Sequence, residues 1–195
     1  MKGRIASIIG LAALSFLTAP AFAYTGGPIR AEMVRYDLSE QRVYFRLQAY
    51  DESSPLPEFY YLDLNGSKPR RPIRAAWLEP TETSYGKRLN SPKLHEQSER
   101  WVPLRAVPDF SFCVNVESDS TSVDPDWNVT RLTLSVQIRV GDDVGTLNVE
   151  GVCEPWVRVR GLMEIPGRAE RVALVSYVGR PYGCEEIDTL VLIPD

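Results

Sequence analysis

The sequence predicts an all-β, predominantly antiparallel fold: a single-domain β-sandwich or irregular barrel with one short helix. Three observations lead to this prediction. Most of the chain alternates apolar and polar residues with a period of two, as half-buried strands do. The 15 prolines and 13 glycines cluster between these runs, as architectures with many short turns require. One highly polar segment carries a start signal for a helix.

The first 23 residues have the three parts of a secretory signal. Lys2 and Arg4 form a basic start, an apolar stretch follows, and Ala21-Phe22-Ala23 offers small residues for cleavage. An uncleaved anchor is the alternative, but the apolar core of about a dozen residues is short for a membrane span. We therefore expect one β-rich domain over residues 24–195, secreted or periplasmic and not membrane-spanning after cleavage.

Composition and charge exclude several classes of protein. The chain has 195 residues, 44% of them hydrophobic and 25% charged, which excludes collagen-like, coiled-coil and broadly disordered chains. Its 26 acidic residues outnumber its 22 basic ones. We expect no nucleic-acid partner, because binding to phosphates requires clustered positive charge.

The first half of the domain reads as a meander of four short strands. The alternating runs cover residues 30–36, 42–50, 59–64 and 72–77. Together they have the length of a propeller blade, and Tyr61–Gly66 resembles a strand-and-turn phrase of such blades. A small propeller-like array is therefore the alternative fold, although the later sequence does not repeat the phrase.

The polar segment that follows predicts the helix. Ser91-Pro92 suits an N-cap and a first helical position, so we expect a helix over residues 92–100. Leu94 and Trp101 are spaced seven apart, which places them on one face. That face is expected to pack across one end of the sheets.

The second half contains the clearest hairpin. Apolar and polar residues alternate over Arg131–Val140, Gly141-Asp142-Asp143 reverses the chain, and Leu147 and Val149 continue the alternation on the return. Further strands are expected at residues 109–116, 156–162, 171–178 and 187–193. The last two contain segments that are apolar on both faces, 172–175 and 190–193, and these are expected to be central and covered.

Three cysteines follow the predicted leader. An oxidising compartment favours one disulfide and one remaining thiol. Cys153 and Cys184 both flank turn-like residues, which favours that pair over pairs with Cys113. The alternative is that all three are small buried residues. Their spacing does not fit a zinc site.

The sequence predicts no catalytic residues. His95 is the only histidine, so a hydrolytic triad or a cysteine nucleophile would depend on it. It lies among charged residues and is expected to be an exposed surface histidine. Adjacent acidic pairs such as Asp51-Glu52 and Asp142-Asp143 lie at turns, where solvated carboxylates are common.

One loop has the opening spacing of a calcium site. Asp124, Asp126 and Asn128 repeat oxygen ligands at every second position. Val129 and Ser135 occur where the rest of a calcium loop would need a glycine and a bidentate acid. We therefore expect no cofactor, with calcium at this loop as the alternative.

Two features form the candidate ligand-binding surface. In the second strand Tyr44, Arg46 and Tyr50 share the face opposite the apolar one, and tyrosine and arginine on an open sheet face can stack on sugars or hold a peptide. The nearby loop is the densest basic patch of the chain; its candidate contacts are Arg70, Arg71 and Arg74.

The expected function is non-enzymatic recognition. These residues favour an exported binding module for a glycan, a peptide or an envelope component. The first alternative is a small hydrolase that uses carboxylates or calcium, which requires at least two acids in one concave pocket. The second alternative is a structural subunit of an envelope assembly.

Overall fold

The computed structural model of the chain describes residues 28–49, 57–66, 71–82, 88–89, 91–124, 129–151, 156–180 and 183–195. The predicted leader, residues 1–23, lies outside these ranges, so its cleavage stays a prediction. Within the ranges, no helix has the length and apolar character needed to cross a membrane.

The described residues form an all-β fold with one short α-helix, as the sequence predicts. Its strands are β1 (Ile29–Asp37), β2 (Arg42–Ala49), β3 (Glu58–Asp63), β4 (Ile73–Arg74), β5 (Thr81–Glu82), β6 (Arg88–Leu89), β7 (Trp101–Pro103), β8 (Arg105–Ala106), β9 (Cys113–Asp124), β10 (Val129–Val140), β11 (Asp143–Gly151), β12 (Val157–Glu164), β13 (Arg171–Arg180) and β14 (Gly183–Ile193). The helix α1 covers Pro92–Ser98, and a 3-10 turn covers Ala76–Leu78.

Nine strands form one open sheet. Their order is β4-β3-β2-β1-β14-β13-β12-β8, and β7 also pairs with β1. Every pairing in this sheet is antiparallel except that of β1 with β14, where Ile29 lies opposite Ile187 in a parallel register. One continuous sheet of this kind differs from the repeated blades of the propeller alternative.

The main core lies between the two halves of this sheet. One cluster of buried side chains comes from both halves: Tyr36, Val43, Phe45, Leu62, Leu64, Ile165, Val172, Leu190 and Leu192. Arg168, after β12, also donates a hydrogen bond to Gln41 in the β1–β2 turn, so the two halves approach each other beside this core. We call the surface that carries this cluster the inner face.

A smaller sheet covers the outer face of β13 and β14. Its order is β11-β10-β9, and Ile138 and Val140 of β10 join a second core with Val175 and Ile193. The layers approach closely at Gly145 of β11, where an added Cβ would lie 2.5 Å from Ile193 Cδ1 and 2.7 Å from a backbone carbonyl oxygen of β14. Only glycine fits this crossing without a shift of β14.

A third core lies on the outer face of β2 and β3. Tyr44, Phe59 and Tyr61 of these strands are covered by Leu78 of the 3-10 turn, with Leu94 and Trp101 packed against them. Leu94 of α1 packs against the sheet, but on the outer face of β2 and β3 and not across an end of the sheets as expected, and Trp101 contacts the same core from β7. The helix ends two residues earlier than predicted, because Arg100 N donates to Gln97 O (3.0 Å) in a turn.

Most strand predictions hold, with two differences: the strand expected over 72–77 is shorter, and the strand expected over 109–116 begins at Cys113 and continues to Asp124. The β10–β11 hairpin turns at Gly141, whose φ of 64° suits glycine. Residues 172–175 and 190–193 lie in the central strands β13 and β14, with Val172, Val175 and Ile193 buried. The strand expected over 72–77 ends at Arg74, because the chain turns there to bury Leu78.

Candidate functional site

A cleft of about 450 Å³ lies between α1 and the turn that joins β1 to β2. We call it the helix-side cleft. Its lining contains one exposed aromatic ring, three basic side chains, two carboxylates and one amide: Trp77, Arg42, Lys93, Arg100, Glu40, Glu96 and Gln97.

Helical spacing brings four of these side chains together. Lys93, Glu96, Gln97 and Arg100 follow the i, i+3, i+4, i+7 pattern, which places them along one face. The hydroxyl of Ser91 donates to the carbonyl oxygen of Trp77 (2.7 Å), which attaches the start of α1 to the 3-10 turn. The opposite side of α1 packs on the sheet through Leu94.

A ladder of four aromatic rings runs beneath the cleft to its surface. Trp101 stacks on Tyr44 with ring centroids 5.0 Å apart, Tyr44 is 5.7 Å from Tyr61, and Tyr61 is 5.8 Å from Trp77. Tyr44 is fully buried, whereas Trp77 is 38% exposed. The guanidinium of Arg42 lies 4.5 Å from the centre of the Tyr61 ring. The buried rings therefore support one ring that faces solvent.

Glu40 is the polar centre of the helix-side cleft. Its carboxylate accepts hydrogen bonds from Arg42 Nη1 (2.9 Å), Gln97 Nε2 (3.1 Å), Arg100 Nη2 (3.4 Å) and the hydroxyl of Tyr44. Burial raises the pKa of Tyr44 above its usual range, and the hydrogen bond to Glu40 raises it further. Tyr44 is therefore a neutral donor at physiological pH.

Several buried polar atoms around this cleft have no hydrogen-bond partner within the described part of the chain. They include Gln97 Oε1, Asp37 Oδ2 and Trp101 Nε1. Asp37 is fully buried, and its Oδ2 lies 3.7 Å from Arg100 Nη2. Each unpaired buried group costs about 1–3 kcal/mol. These atoms are shielded from solvent, so their cost falls on the stability of the fold and not on ligand binding.

The predicted ligand face is partly covered. Tyr44 and Arg46 do share a face, as the alternation predicts, but α1 and Trp101 cover that face over Tyr44. The expectation that Tyr44 lies on an open surface is therefore wrong. Arg46 lies beyond the cover and pairs with Glu32. Tyr50 lies outside the described residues, and ligand binding at Arg46 stays a prediction.

The predicted basic patch does not join Tyr44 and Arg46. Arg74 lies opposite Tyr60 in the β3–β4 register, on the face opposite to Tyr44, and it pairs with Glu79 through Nε (2.8 Å) and Nη2 (2.9 Å). Arg71 is exposed, and Arg70 lies outside the described residues. The structure thus places Arg74 and Arg46 on different surfaces.

The metal and disulfide predictions involve residues the structure does not describe. Asp126, Asn128 and Cys153 lie outside the described residues, and the side chains of Asp124 and Cys184 are also not described. Where side chains are described, no group of three His, Cys, Asp or Glu residues is placed to hold a metal ion. Cys113 has a free thiol and is exposed.

Sequence reasoning missed most of the helix-side cleft. The i, i+3, i+4, i+7 spacing of 93–100 was a usable signal for one polar helix face, whereas nothing in the sequence marked Trp77 as the exposed ring. His95 is exposed on α1, as expected, with Nε2 3.6 Å from Glu99. Comparison of the chain with protein-family models, curated proteins and solved structures finds no match.

Proposed function

We propose that the mature chain is an exported, non-enzymatic binding module for a glycan and that the helix-side cleft is its binding site. The observation that carries this proposal is the exposed ring of Trp77, which lies beside paired donors and acceptors at one concave surface. Binding sites of this kind combine apolar rings with a few placed polar groups.

The chemistry of the cleft suits a sugar ring. A pyranose offers an apolar C–H face, which can lie on Trp77, and hydroxyl groups at its edge that both donate and accept hydrogen bonds. Arg42 and Arg100 donate, while the carboxylate of Glu96 accepts. Because Glu40 already holds Arg42 and Arg100 in place, little side-chain entropy is lost on binding.

The aromatic ladder supports the same proposal. Trp77 contacts Tyr61, which contacts the buried Tyr44. A ring that is held by buried rings presents a fixed surface, which favours binding over a ring that must be ordered by the ligand. A peptide would also contact such a ring. The cleft, however, contains both carboxylates and cations, and this mixture suits a ligand with many hydroxyl groups better than a peptide that carries one sign of charge.

The experiment is a thermal-shift screen of residues 24–195 against neutral hexose and N-acetylhexosamine oligosaccharides. A ligand at 100 times its dissociation constant adds about 2.7 kcal/mol of stability, so a binding sugar raises Tm by several degrees. Trp77→Ala should require at least tenfold more ligand for the same rise in Tm. Phe112→Ala removes another exposed ring, just before β9, and should leave the response unchanged.

Two outcomes contradict the proposal. One is a screen in which no oligosaccharide changes Tm. The other is a sugar response that survives in Trp77→Ala, since the ligand would then bind elsewhere. A folded Trp77→Ala protein is expected because the ring is partly exposed, and circular dichroism of the variant checks this.

One observation favours the hydrolase alternative. Glu40 and Glu96 line the same cleft, and glycoside hydrolysis uses two carboxylates that flank one bond. Glu40, however, is held by four donors, which favours a structural role for it. Incubation of any bound oligosaccharide with the protein distinguishes the two functions. New reducing ends that disappear in Glu96→Gln would establish hydrolysis, whereas an intact sugar supports binding.

A further inference from the structure

A second cleft, of about 440 Å³, lies at one end of the inner face. We call it the end cleft. Three arginines, one tryptophan, one valine and one carboxylate line it: Arg30, Arg158, Arg160, Trp156, Val159 and Glu186. It shares no lining residue with the helix-side cleft.

Sheet register explains why these side chains meet. Arg158 of β12 lies opposite Ser176 of β13, and Ser176 lies opposite Asp188 of β14. Arg30 of β1 reaches the same carboxylate, with Nη1 3.3 Å from Asp188 Oδ1. Four neighbouring strands therefore contribute to one polar row, which continues the apolar inner face of Leu174 and Leu190.

A β-bulge adds the third arginine. The β12–β13 register shifts between Val159 and Gly161, so Arg160 is an extra residue on its strand. Bulges redirect the side chain that they carry. Arg160 Nη1 lies 3.3 Å from Asp188 Oδ2, on the same side as Arg158 and Arg30.

Asp188 organises this row but has no remaining capacity for a ligand. It is 2% exposed, and it accepts hydrogen bonds from Ser176 Oγ (2.6 Å) and Ala31 N (3.0 Å) besides the two guanidinium groups. A buried carboxylate needs this degree of pairing. Asp188 therefore holds Arg30 and Arg160 in fixed positions.

The carboxylate that lines the end cleft, that of Glu186, pairs with Arg30. Glu186 accepts from Arg30 Nη1 (2.5 Å) and Nη2 (3.0 Å), and these hydrogen bonds lower the pKa of Glu186. Arg158 is exposed and has no ion-pair partner in the part of the chain that the structure describes. Among the side chains that the structure describes here, three guanidinium groups face two carboxylates, which leaves one positive charge in excess near Arg158.

We propose that the end cleft binds the carboxylate of an acidic sugar. Arg158 and the solvent side of Arg160 hold the carboxylate, and the 43% exposed ring of Trp156 packs against the sugar. One excess positive charge matches a monoanion, whereas a phosphate dianion would bring a second charge close to Glu186. A sugar acid suits the site because the charged donors adjoin an exposed aromatic ring. The proposal rests on these residues alone and is independent of the helix-side cleft.

The experiment titrates residues 24–195 with sodium glucuronate and, in parallel, with glucose, inorganic phosphate and a tripeptide that has a free carboxyl terminus. Calorimetry at low ionic strength measures each affinity. Glucuronate should bind at least tenfold more tightly than the other three, and its affinity should fall as salt screens the charges.

Variants locate the site. Arg158→Gln and Trp156→Ala should each weaken glucuronate binding tenfold or more. Arg105→Gln is the matched control, because Arg105 is 83% exposed and lies by the other end of β12; it should bind as the wild type does. Arg158→Lys keeps the charge without the planar fork, so it should bind with intermediate affinity.

Four results would overturn the proposal. They are no glucuronate binding, equal binding of glucose, tighter binding of phosphate or of the tripeptide, and unchanged glucuronate binding in folded Arg158→Gln. Loss of neutral-sugar binding in Trp77→Ala tests the helix-side cleft alone, so failure of one proposal is distinguishable from failure of the other.

Discussion

Trp101 stacks on Tyr44 with a centroid separation of 5.0 Å and an angle of 20° between the rings. This contact closes the outer face of β2, because the chain after α1 pairs with β1 at Trp101–Pro103 and holds the indole there. Tyr44 consequently belongs to a core, and its hydroxyl group is confined to a hydrogen bond with Glu40.

Alkaline pH should unfold the protein partly through its buried tyrosines. Burial raises the pKa of both Tyr44 and Tyr60 in the folded chain, while in the unfolded chain it is about 10. The stabilisation is thus complete below pH 10 and is lost as pH rises above it. Urea unfolding from pH 8 to 11.5 should show a shallower loss in Tyr60→Phe. Identical slopes in wild type and variant would contradict this.

Removal of the Asp188 carboxylate should destabilise the fold strongly. Asp188→Ala leaves Arg30 and Arg160 without their shared partner and Ser176 Oγ without its acceptor. We expect a loss of about 3–5 kcal/mol, as for other broken buried ion pairs, measured by urea unfolding. Asp142→Asn, at an exposed turn position, is the control and should change stability by less than about 0.5 kcal/mol.

Acid pH should weaken two ion pairs, one of which joins β1 to β14. Arg30 lowers the pKa of Glu186, and Arg74 lowers that of Glu79. Their stabilisation is complete above the unfolded pKa of about 4.3 and is lost as pH falls through the lower folded value. The free energy of unfolding should therefore fall below pH 4.5, less steeply in Glu186→Gln. A variant with the wild-type acid profile would disprove this contribution.

A methyl group at residue 145 should push the two layers apart. An added Cβ would lie 2.5 Å from Ile193 Cδ1 and 2.7 Å from a backbone oxygen, and backbone moves less readily than a side chain. Gly145→Ala should cost roughly 1–3 kcal/mol of stability. Gly161→Ala is the matched control in a strand, since a Cβ there meets nothing within 4 Å; it should not lower Tm.

Thiol labelling tests the cysteine prediction. If Cys153 pairs with Cys184, the oxidised chain secreted by an exporting host has one reactive thiol, the exposed Cys113. A maleimide reagent in denaturant should add one label per chain, none in Cys113→Ser, and three after reduction. Three labels without reductant would show that no disulfide has formed. The same sample should begin at Tyr24 by N-terminal sequencing.

Local patterns predicted the fold better than they predicted the site. The alternation through Arg139 and the turn at Gly141 are properties of adjacent residues, so the β10–β11 hairpin was accessible from sequence. Alternation also predicted that Tyr44 and Val43 lie on opposite faces of β2. Alternation carries no information about which segment covers a face, and Trp101, which stacks on Tyr44, comes much later in the chain.

The end cleft was inaccessible for the same reason. Arg158 and Arg30 come together only through the pairing order of four strands, and the parallel contact of β1 with β14 has no signature in adjacent residues. The bulge at Arg160 is likewise decided by packing on β13. Individual strands were therefore predictable, whereas the row of side chains that crosses them was not.

The parallel pairing of β1 with β14 also affects how the molecule folds. Arg30 and Asp188 are 158 residues apart in the chain. Pairing of their strands closes a long loop at a cost in chain entropy, and such distant pairings make folding slow. Phe45 and Leu62 of the first strands share their core with Val172, Leu190 and Leu192 of β13 and β14. The folding chain therefore depends on its later strands to bury what its first strands expose.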